Sequence, residues 1–195
     1  MKKVGRKIAL FSGLFFLAHG AGAELPQVGA LLPAVKVQRG GEIILNQGKE
    51  ARQPWQPSWP QSRPQLIIHV AGRLAAKQQL DPVVARLART QWVNQRVGMT
   101  TIINTDDSLW GSRPFVEHSI LTSKKDSPTS HFVLDSSGVV AHRWHLQAES
   151  AAIIATTGQG QVLYFQQAPF SAASIQQLLK VLQQKVENDL NSSFH

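Results

Sequence analysis

The residues best suited to bind a ligand fall into two short polar groups. Each group follows an apolar run, one at 65–71 and the other at 99–104. The groups are Arg73 and Lys77 after the first run, and Asn104, Asp106 and Asp107 after the second. Ligand sites in sheets with parallel strands tend to lie beyond the carboxyl ends of those strands. If the two runs form neighbouring strands, cations and carboxylates meet at one edge of the sheet.

This polar edge has three interpretations. The first is a binding site for a small ligand or for the end of a peptide. The second is an enzyme site in which Arg73, Lys77, Asp106 and Asp107 carry the chemistry. The third is a salt-bridged cluster that caps turns, because Asn and Asp are favoured at turns and helix N-caps. The residue types alone favour the capping interpretation and leave the other two open.

The histidines give little indication of a metal site. His69 lies inside the first apolar run and is typical of a core histidine rather than a base. Because that run leads to the polar edge, His69 is also counted among the candidate ligand-binding residues. His142 and His145 are three residues apart in an expected strand, so their side chains point to opposite faces. Asp106 and Asp107 lack the alternating oxygen ligands of a calcium loop. We therefore expect no metal and no cofactor.

Two tryptophans, Trp55 and Trp59, lie in a proline-rich segment at 46–65 that predicts a loop. One interpretation is that they cover the core as a hydrophobic lid. The other is that they are exposed to contact a protein partner or a glycan strand, since aromatic residues are enriched at binding hot spots. The sequence favours the lid.

The apolar runs predict the strands. A hairpin is expected at 35–45 around two glycines, and the runs at 65–71 and 99–104 predict buried strands. Further strands are expected at 131–135 and at 139–146. The last pair, 151–155 and 161–165, reads as a second hairpin around its glycines.

The helix signals fall between and after these strands. Asp81 and Pro82 resemble an N-cap followed by proline at the first helical position. A second helix is expected from Ser112 and Pro114 to Lys124 and Lys125. The last helix is capped by Ser171, and its apolar residues repeat with helical period: Ile175, Leu178, Leu179, Leu182 and Val186. This order predicts an α/β sandwich with a mixed central sheet flanked by helices.

The first 23 residues predict a secretory signal peptide. They contain basic residues, then an apolar run, and then a small-residue cleavage pattern that ends at Ala23. Residues 24–190 then form one domain, and 191–195 a frayed tail. Signal removal takes four basic residues and no acidic one, so the formal net charge falls from +8 to +4. We expect a periplasmic protein without stable membrane insertion and without nucleic-acid binding. A transcriptional regulator is disfavoured for the same reasons.

The 195 residues include no cysteine. Thiolate nucleophiles carry out disulfide exchange, and cysteine sulfurs bind Fe–S clusters and many zinc ions. The sequence therefore excludes thiol–disulfide oxidoreductase and thiol peroxidase activity.

The element order resembles the thioredoxin fold in its larger form, found in peroxiredoxins and thiol–disulfide reductases. Several segments more closely resemble the YtfJ family of exported bacterial proteins, which have this fold and no established function. The segments include His69-Val70-Ala71-Gly72-Arg73 with Ala76-Lys77, Thr100-Thr101 with Asn104-Thr105-Asp106-Asp107, Phe115-Val116 with Ser119 and Lys124-Lys125, Phe132 to Val139, and Trp144 with Leu146 and Glu149-Ser150.

The resemblance implies where a thioredoxin-type redox site would stand. The two cysteines would fall near Ala75 and Gln78, and the proline that faces them near Ala151. None of these three residues has the required type. The implied function is a non-redox protein that binds a small ligand or an unidentified envelope protein at this edge, with its oligomeric state left open.

Overall fold

A computed structural model describes residues 24–109 and 113–192. The expected signal peptide at 1–23 and residues 193–195 of the expected tail lie outside the described residues. Within them, a seven-stranded sheet has the order β2-β1-β5-β4-β3-β6-β7. The strands are β1 Val37–Asn46, β2 Lys49–Trp55, β3 Gln65–Ala71, β4 Gly98–Asn104, β5 His131–Asp135, β6 Ala151–Thr156 and β7 Val162–Gln167.

The three central strands β3, β4 and β5 are parallel to one another, and every other pairing is antiparallel. The described helices are α1 Leu74–Ala88, α2 Gln91–Arg96, α3 Arg113–Asp126, α4 Val139–Arg143 and α5 Ala172–Ser192. The predicted mixed sheet with flanking helices is confirmed, as is the neighbouring position of the two strands that carry the polar groups.

Each face of the sheet has its own hydrophobic core. The first core includes the stripe of α5, where Leu178 and Leu182 are buried against the sheet beside Val83 of α1. The α5 backbone amide of Ser174 donates to the Ser171 hydroxyl at 3.1 Å, so the predicted N-cap is confirmed. The second core surrounds Trp144, which is fully buried.

The hairpin predicted around Gly40 and Gly41 is wrong. Both glycines lie inside β1, at positive φ of 91° and 76°, where the β1–β2 register shifts. A Cβ atom on Gly40 would lie 2.3 Å from the carbonyl oxygen of Leu134 in β5, so close strand approach requires glycine there. The turn instead falls at Gln47 and Gly48, both at positive φ as a two-residue hairpin requires. Consequently β2 occupies part of the segment predicted to be a loop.

The start predicted for the first helix is also wrong. α1 begins at Leu74, and Pro82 lies inside it. Its buried residues, Ala76, Leu80, Val83 and Leu87, have helical spacing on both sides of that proline. Burial of this continuous stripe outweighs the local signal of the Asp-Pro pair.

The strand predicted at 139–146 is wrong, because α4 occupies its first five residues. The Asp135 carboxylate accepts hydrogen bonds from the backbone amides of Val140, at 2.8 Å, and Ser137, at 3.2 Å. These bonds start a helical turn, and the indole of Trp144 then donates to the Pro33 carbonyl oxygen at 2.8 Å. Side-chain capping and tryptophan burial override the strand preference of the paired valines.

The final helix extends further than expected. α5 continues to Ser192, so residues 191 and 192, which were expected in the frayed tail, are helical. Among the described helices, none combines the length and the apolar character that crossing a bilayer demands.

Candidate functional site

Three chain segments meet at the edge of the sheet where β3 and β4 end. The first amide after β3, that of Gly72, donates to the Asn104 carbonyl oxygen at the end of β4, at 2.9 Å. β6 runs antiparallel to β3 and begins at this edge, with Ala151 opposite Val70. α1 leaves the same edge from Arg73, its N-cap residue. The loops after β3 and β4 and the loop before β6 are therefore in contact.

Arg73 connects these three loops. Its guanidinium lies 3.3 Å from the Asp107 carboxylate and 3.0 Å from the Glu149 carboxylate, and its Nε donates to the Asp107 carbonyl oxygen at 2.8 Å. The amide of Glu149 in turn donates to the Asp107 carboxylate at 2.5 Å. The predicted convergence of Arg73 and Asp107 is thus present. Sequence reasoning missed the role of Glu149, whose positive φ of 57° marks a special loop conformation.

Asn104 has a structural role at this edge. Its side chain is buried, and its amide oxygen accepts from the backbone amides of Asp106, at 3.1 Å, and Asp107, at 3.3 Å. This is the turn-capping arrangement that the residue types favoured. It presents Asp107 to Arg73 and leaves Asp106 exposed.

The remaining predicted residues of α1 are exposed. Lys77 lies one turn beyond Arg73, and it makes no ion pair with any residue that the structure describes. Ala75 and Gln78, which stand about where the thiols would be, are exposed in the first turns of the helix. Among the described residues, this edge therefore combines Arg73, which has two ion-pair partners, with Lys77, which has none.

Two exposed leucines flank the Arg73 cluster and were not predicted. Leu74 directly follows Arg73, and its residue is 69% exposed. Leu109 comes two residues after Asp107 and is 58% exposed. The Arg73–Asp107 contact joins the two segments, so each exposed leucine lies within two residues of a member of the ion cluster. The sequence signal for Leu74 was a large apolar residue that lies between two cations, Arg73 and Lys77.

His69 does not reach this surface. It is 2% exposed within β3, and its Nε2 atom has no hydrogen-bond partner among the described residues. Burial lowers the pKa of His69 to about 4, against the opposing effect of the Asp107 charge. His69 is therefore buried, as a core histidine would be, and its assignment to the ligand-binding edge stays a prediction.

The two tryptophans lie at the opposite end of the central strands from this edge. Trp55 ends β2 and is 8% exposed, packed in the second core, so only a small part of its indole reaches the surface. Trp59 packs against the same core and remains partly exposed. Its indole covers Gly160, where a Cβ atom would lie 2.5 Å from the ring. Both placements fit the lid interpretation.

Two further kinds of site could occur among the described residues, a ligand cavity and a metal site. A cavity of about 430 Å³ opens between α1 and α5, but its polar side chains, those of Arg86, Arg89 and Gln176, are all exposed and fix no orientation. Over the same residues, no three His, Asp or Glu side chains are grouped so that they could hold a metal ion.

Comparison with known proteins identifies relatives of the whole domain. The sequence model described as "Bacterial protein of unknown function (YtfJ_HI0045)" matches residues 27–185. The uncharacterized protein YtfJ of Escherichia coli strain K12 is 29% identical over 178 residues, which cover 91% of this chain and 96% of that protein.

Solved structures share the fold at low sequence identity. A thiol peroxidase from Chromobacterium violaceum superposes with a TM-score of 0.51 at 14% identity, covering 84% of this chain and 90% of that one. A Plasmodium vivax 2-Cys peroxiredoxin gives 0.52 at 12% identity, covering 80% and 96%. The predicted thioredoxin-like fold of the peroxiredoxin type is confirmed, and these likenesses show the fold alone.

Proposed function

Because this chain belongs to the YtfJ_HI0045 family of bacterial proteins, we propose that it is a periplasmic, non-redox member of the thioredoxin-like fold that binds a polypeptide partner. The binding surface is the edge formed by Arg73, Leu74, Asp107, Leu109 and Glu149. We call these five residues the α1 edge.

The observation that carries the proposal is the exposure of two leucines around a fixed ion cluster. Exposed apolar side chains grouped together mark interaction surfaces, whereas scattered ones need no explanation. Here Leu74 and Leu109 are 69% and 58% exposed, and the Arg73–Asp107 contact joins the two chain segments that carry them. A surface that is already ordered loses little conformational entropy when a partner binds.

The charges at the α1 edge support a peptide rather than a small anion. Arg73 is neutralised by two carboxylates, at 3.3 Å and 3.0 Å, so its guanidinium is not available to hold a free acid. A polypeptide segment could bury both leucines with its own apolar side chains and place an acidic group near the unpaired Lys77.

The non-redox character and the periplasmic location that we propose rest on two different features of the sequence. Disulfide exchange requires a thiolate, and the chain has no cysteine, so any activity at the α1 edge is not thiol chemistry. The basic start, apolar run and small-residue pattern of residues 1–23 support export to the periplasm.

The test compares copurification by tagged proteins expressed in the periplasm of the native host. We expect a partner recovered with the wild type to fall on the order of tenfold with Leu74→Asn plus Leu109→Asn, because two apolar contacts are lost. Val84→Asn is the matched control, since Val84 is 52% exposed on α1 outside the α1 edge.

The thermal midpoints of the double variant and the control should stay close to that of the wild type, because all three side chains are exposed. Undiminished recovery of the same partner by the double variant would overturn the proposal. So would an equal loss with Val84→Asn.

A further inference from the structure

A second concavity lies at the other end of the central strands, where β3, β4 and β5 begin. Its floor is a row of residues across those three strands: Ile67 pairs with Thr100, and Thr100 pairs with His131. These side chains share the face of the sheet that carries the second core. The segment 55–61 forms the roof, and the space between is about 140 Å³. We call this concavity the tryptophan cleft.

The roof of the tryptophan cleft is fixed at both ends. Trp55 is buried in the second core at one end. At the other end, the Trp59 ring lies on Gly160, and the Gln61 amide donates to the Gly158 carbonyl oxygen at 2.7 Å. Prolines at 54, 57 and 60 restrict the backbone between these anchors. The cleft is therefore preformed, which lowers the cost of binding.

A carboxylate–histidine pair lies at the side of the cleft. The Glu42 carboxylate is 2.5 Å from Nδ1 of His131, and its other oxygen accepts from the Gln53 amide at 3.1 Å. The His131 hydrogen bond chiefly lowers the pKa of Glu42, the Gln53 bond adds to this, and the Lys124 charge contributes further, all against the effect of burial. Glu42 is thus ionised and balanced by its neighbours, while Nε2 of the half-exposed His131 stays available for a ligand.

The remaining lining combines indole rings with neutral polar groups. The polar side chains are those of Gln56, Ser58, Gln61, Gln65 and Thr100. Amides and hydroxyls both donate and accept hydrogen bonds, as the hydroxyls of a ligand also do. Indole surfaces take up apolar groups, including the C–H face of a sugar ring.

The volume of the cleft and the charges that line it restrict the class of ligand further. A cavity of about 150 Å³ is known to hold one benzene molecule, so a cleft of about 140 Å³ can take in the face of one six-membered ring while the outer substituents of that ring stay outside. A lone cation would gain little beside a carboxylate that is already paired, and a lone anion would lie close to that carboxylate.

From this geometry we propose that the tryptophan cleft binds one pyranose ring of a neutral sugar. The apolar face of the ring packs on the indoles of Trp55 and Trp59. Ring hydroxyls bond to Nε2 of His131 and to the roof amides, Gln56 among them. This site is separate from the α1 edge, and neither proposal depends on the other.

The test is a titration of the purified processed protein with methyl glucopyranoside and, separately, N-acetylglucosamine, followed by NMR of the indole N–H signals. A ligand with one ring is expected to bind with a Kd on the order of 1 mM. The signals of Trp55 and Trp59 should shift in a saturable way. The signal of Trp92, which packs on the opposite face of the sheet, should not move.

Variants locate the binding. His131→Ala should weaken the Kd on the order of fivefold through loss of one hydrogen bond. Gln56→Ala, in the exposed roof, should weaken it without disturbing Glu42. His118→Ala, an exposed histidine of α3 outside the cleft, should leave it unchanged.

Three results would overturn the proposal. The first is the absence of any shift at Trp55 and Trp59 with either sugar at tens of millimolar. The second is tighter binding of tetramethylammonium than of the sugars, which would make the cleft a cation site. The third is a Kd that neither His131→Ala nor Gln56→Ala alters.

Discussion

Arg73 illustrates how one side chain can organise the site without being its binding group. Its guanidinium bonds to Asp107 and Glu149 and so connects the loops after β3 and β4 to the loop before β6. Partly buried ion pairs of this kind gain from fixed geometry more than exposed ones do. In the binding mode that we propose, Arg73 positions the loops and the adjacent Leu74 provides the contact surface.

His69 gives the protein a predictable sensitivity to acid. Burial lowers the pKa of His69 to about 4, whereas its pKa in the unfolded chain is about 6.5. Between these values the unfolded state binds more protons, so the free energy of unfolding falls as the pH falls through this range. The loss due to His69 between pH 7 and pH 5 is about 2 kcal/mol.

His69→Leu should remove this part of the pH dependence, because an apolar side chain replaces a buried ring whose Nε2 has no partner. Urea unfolding of wild type and variant at pH 7 and pH 5 measures the difference. His118→Leu, at an exposed position, should keep the decline of the wild type. An equal decline in His69→Leu would show that this histidine is not buried in its neutral form.

At the scale of elements, α1 contains an interior proline that costs stability. Pro82 has no N–H to donate to the carbonyl oxygen of Gln78, four residues earlier, and its ring crowds that carbonyl. Pro82→Ala should raise the free energy of unfolding by about 1 kcal/mol or more.

Chemical denaturation measures the effect of Pro82→Ala, and Ala85→Gly serves as its opposite control. Ala85 lies in the same helix and is exposed, so glycine there should cost about 1 kcal/mol. A stabilising Ala85→Gly or a destabilising Pro82→Ala would contradict a continuous α1 from Leu74 to Ala88.

The elements that sequence reasoning identified are those whose pattern and packing agree. β3, β4 and α5 have long apolar runs or stripes, and the structure contains all three. α4 was missed because two valines favour a strand locally, whereas the Asp135 cap and the burial of Trp144 act across the turn. The first hairpin was misplaced because Gly40 and Gly41 serve close packing between strands, which no local pattern reveals.

The site likewise contains residues that strand order predicts and residues whose positions depend on the three-dimensional structure. The convergence of Arg73 and Asp107 followed from strand order alone, because parallel neighbours end at one edge. Glu149 and Leu109 could not be placed in this way, since their positions depend on loop conformations. The tryptophan cleft depends on register between three strands and on a roof held by the β6–β7 turn, so only the three-dimensional structure reveals it.

For the molecule as a whole, the fold separates two surfaces at opposite ends of the central strands. The α1 edge lies where β3 and β4 end, and the tryptophan cleft lies where they begin. The first offers exposed apolar side chains around fixed charges, and the second offers a preformed polar concavity. We therefore propose two binding surfaces on a thioredoxin-like domain that has no cysteine for thiol chemistry.

The most direct test of the central claim is photocrosslinking in living cells of the native host, with p-benzoyl-phenylalanine replacing Leu74 or, as the matched control, Val84. Binding at the α1 edge predicts a discrete crosslinked adduct, recovered from the periplasm, with the probe at position 74 and none at position 84. The absence of an adduct at position 74, or an equally strong one at position 84, would contradict it.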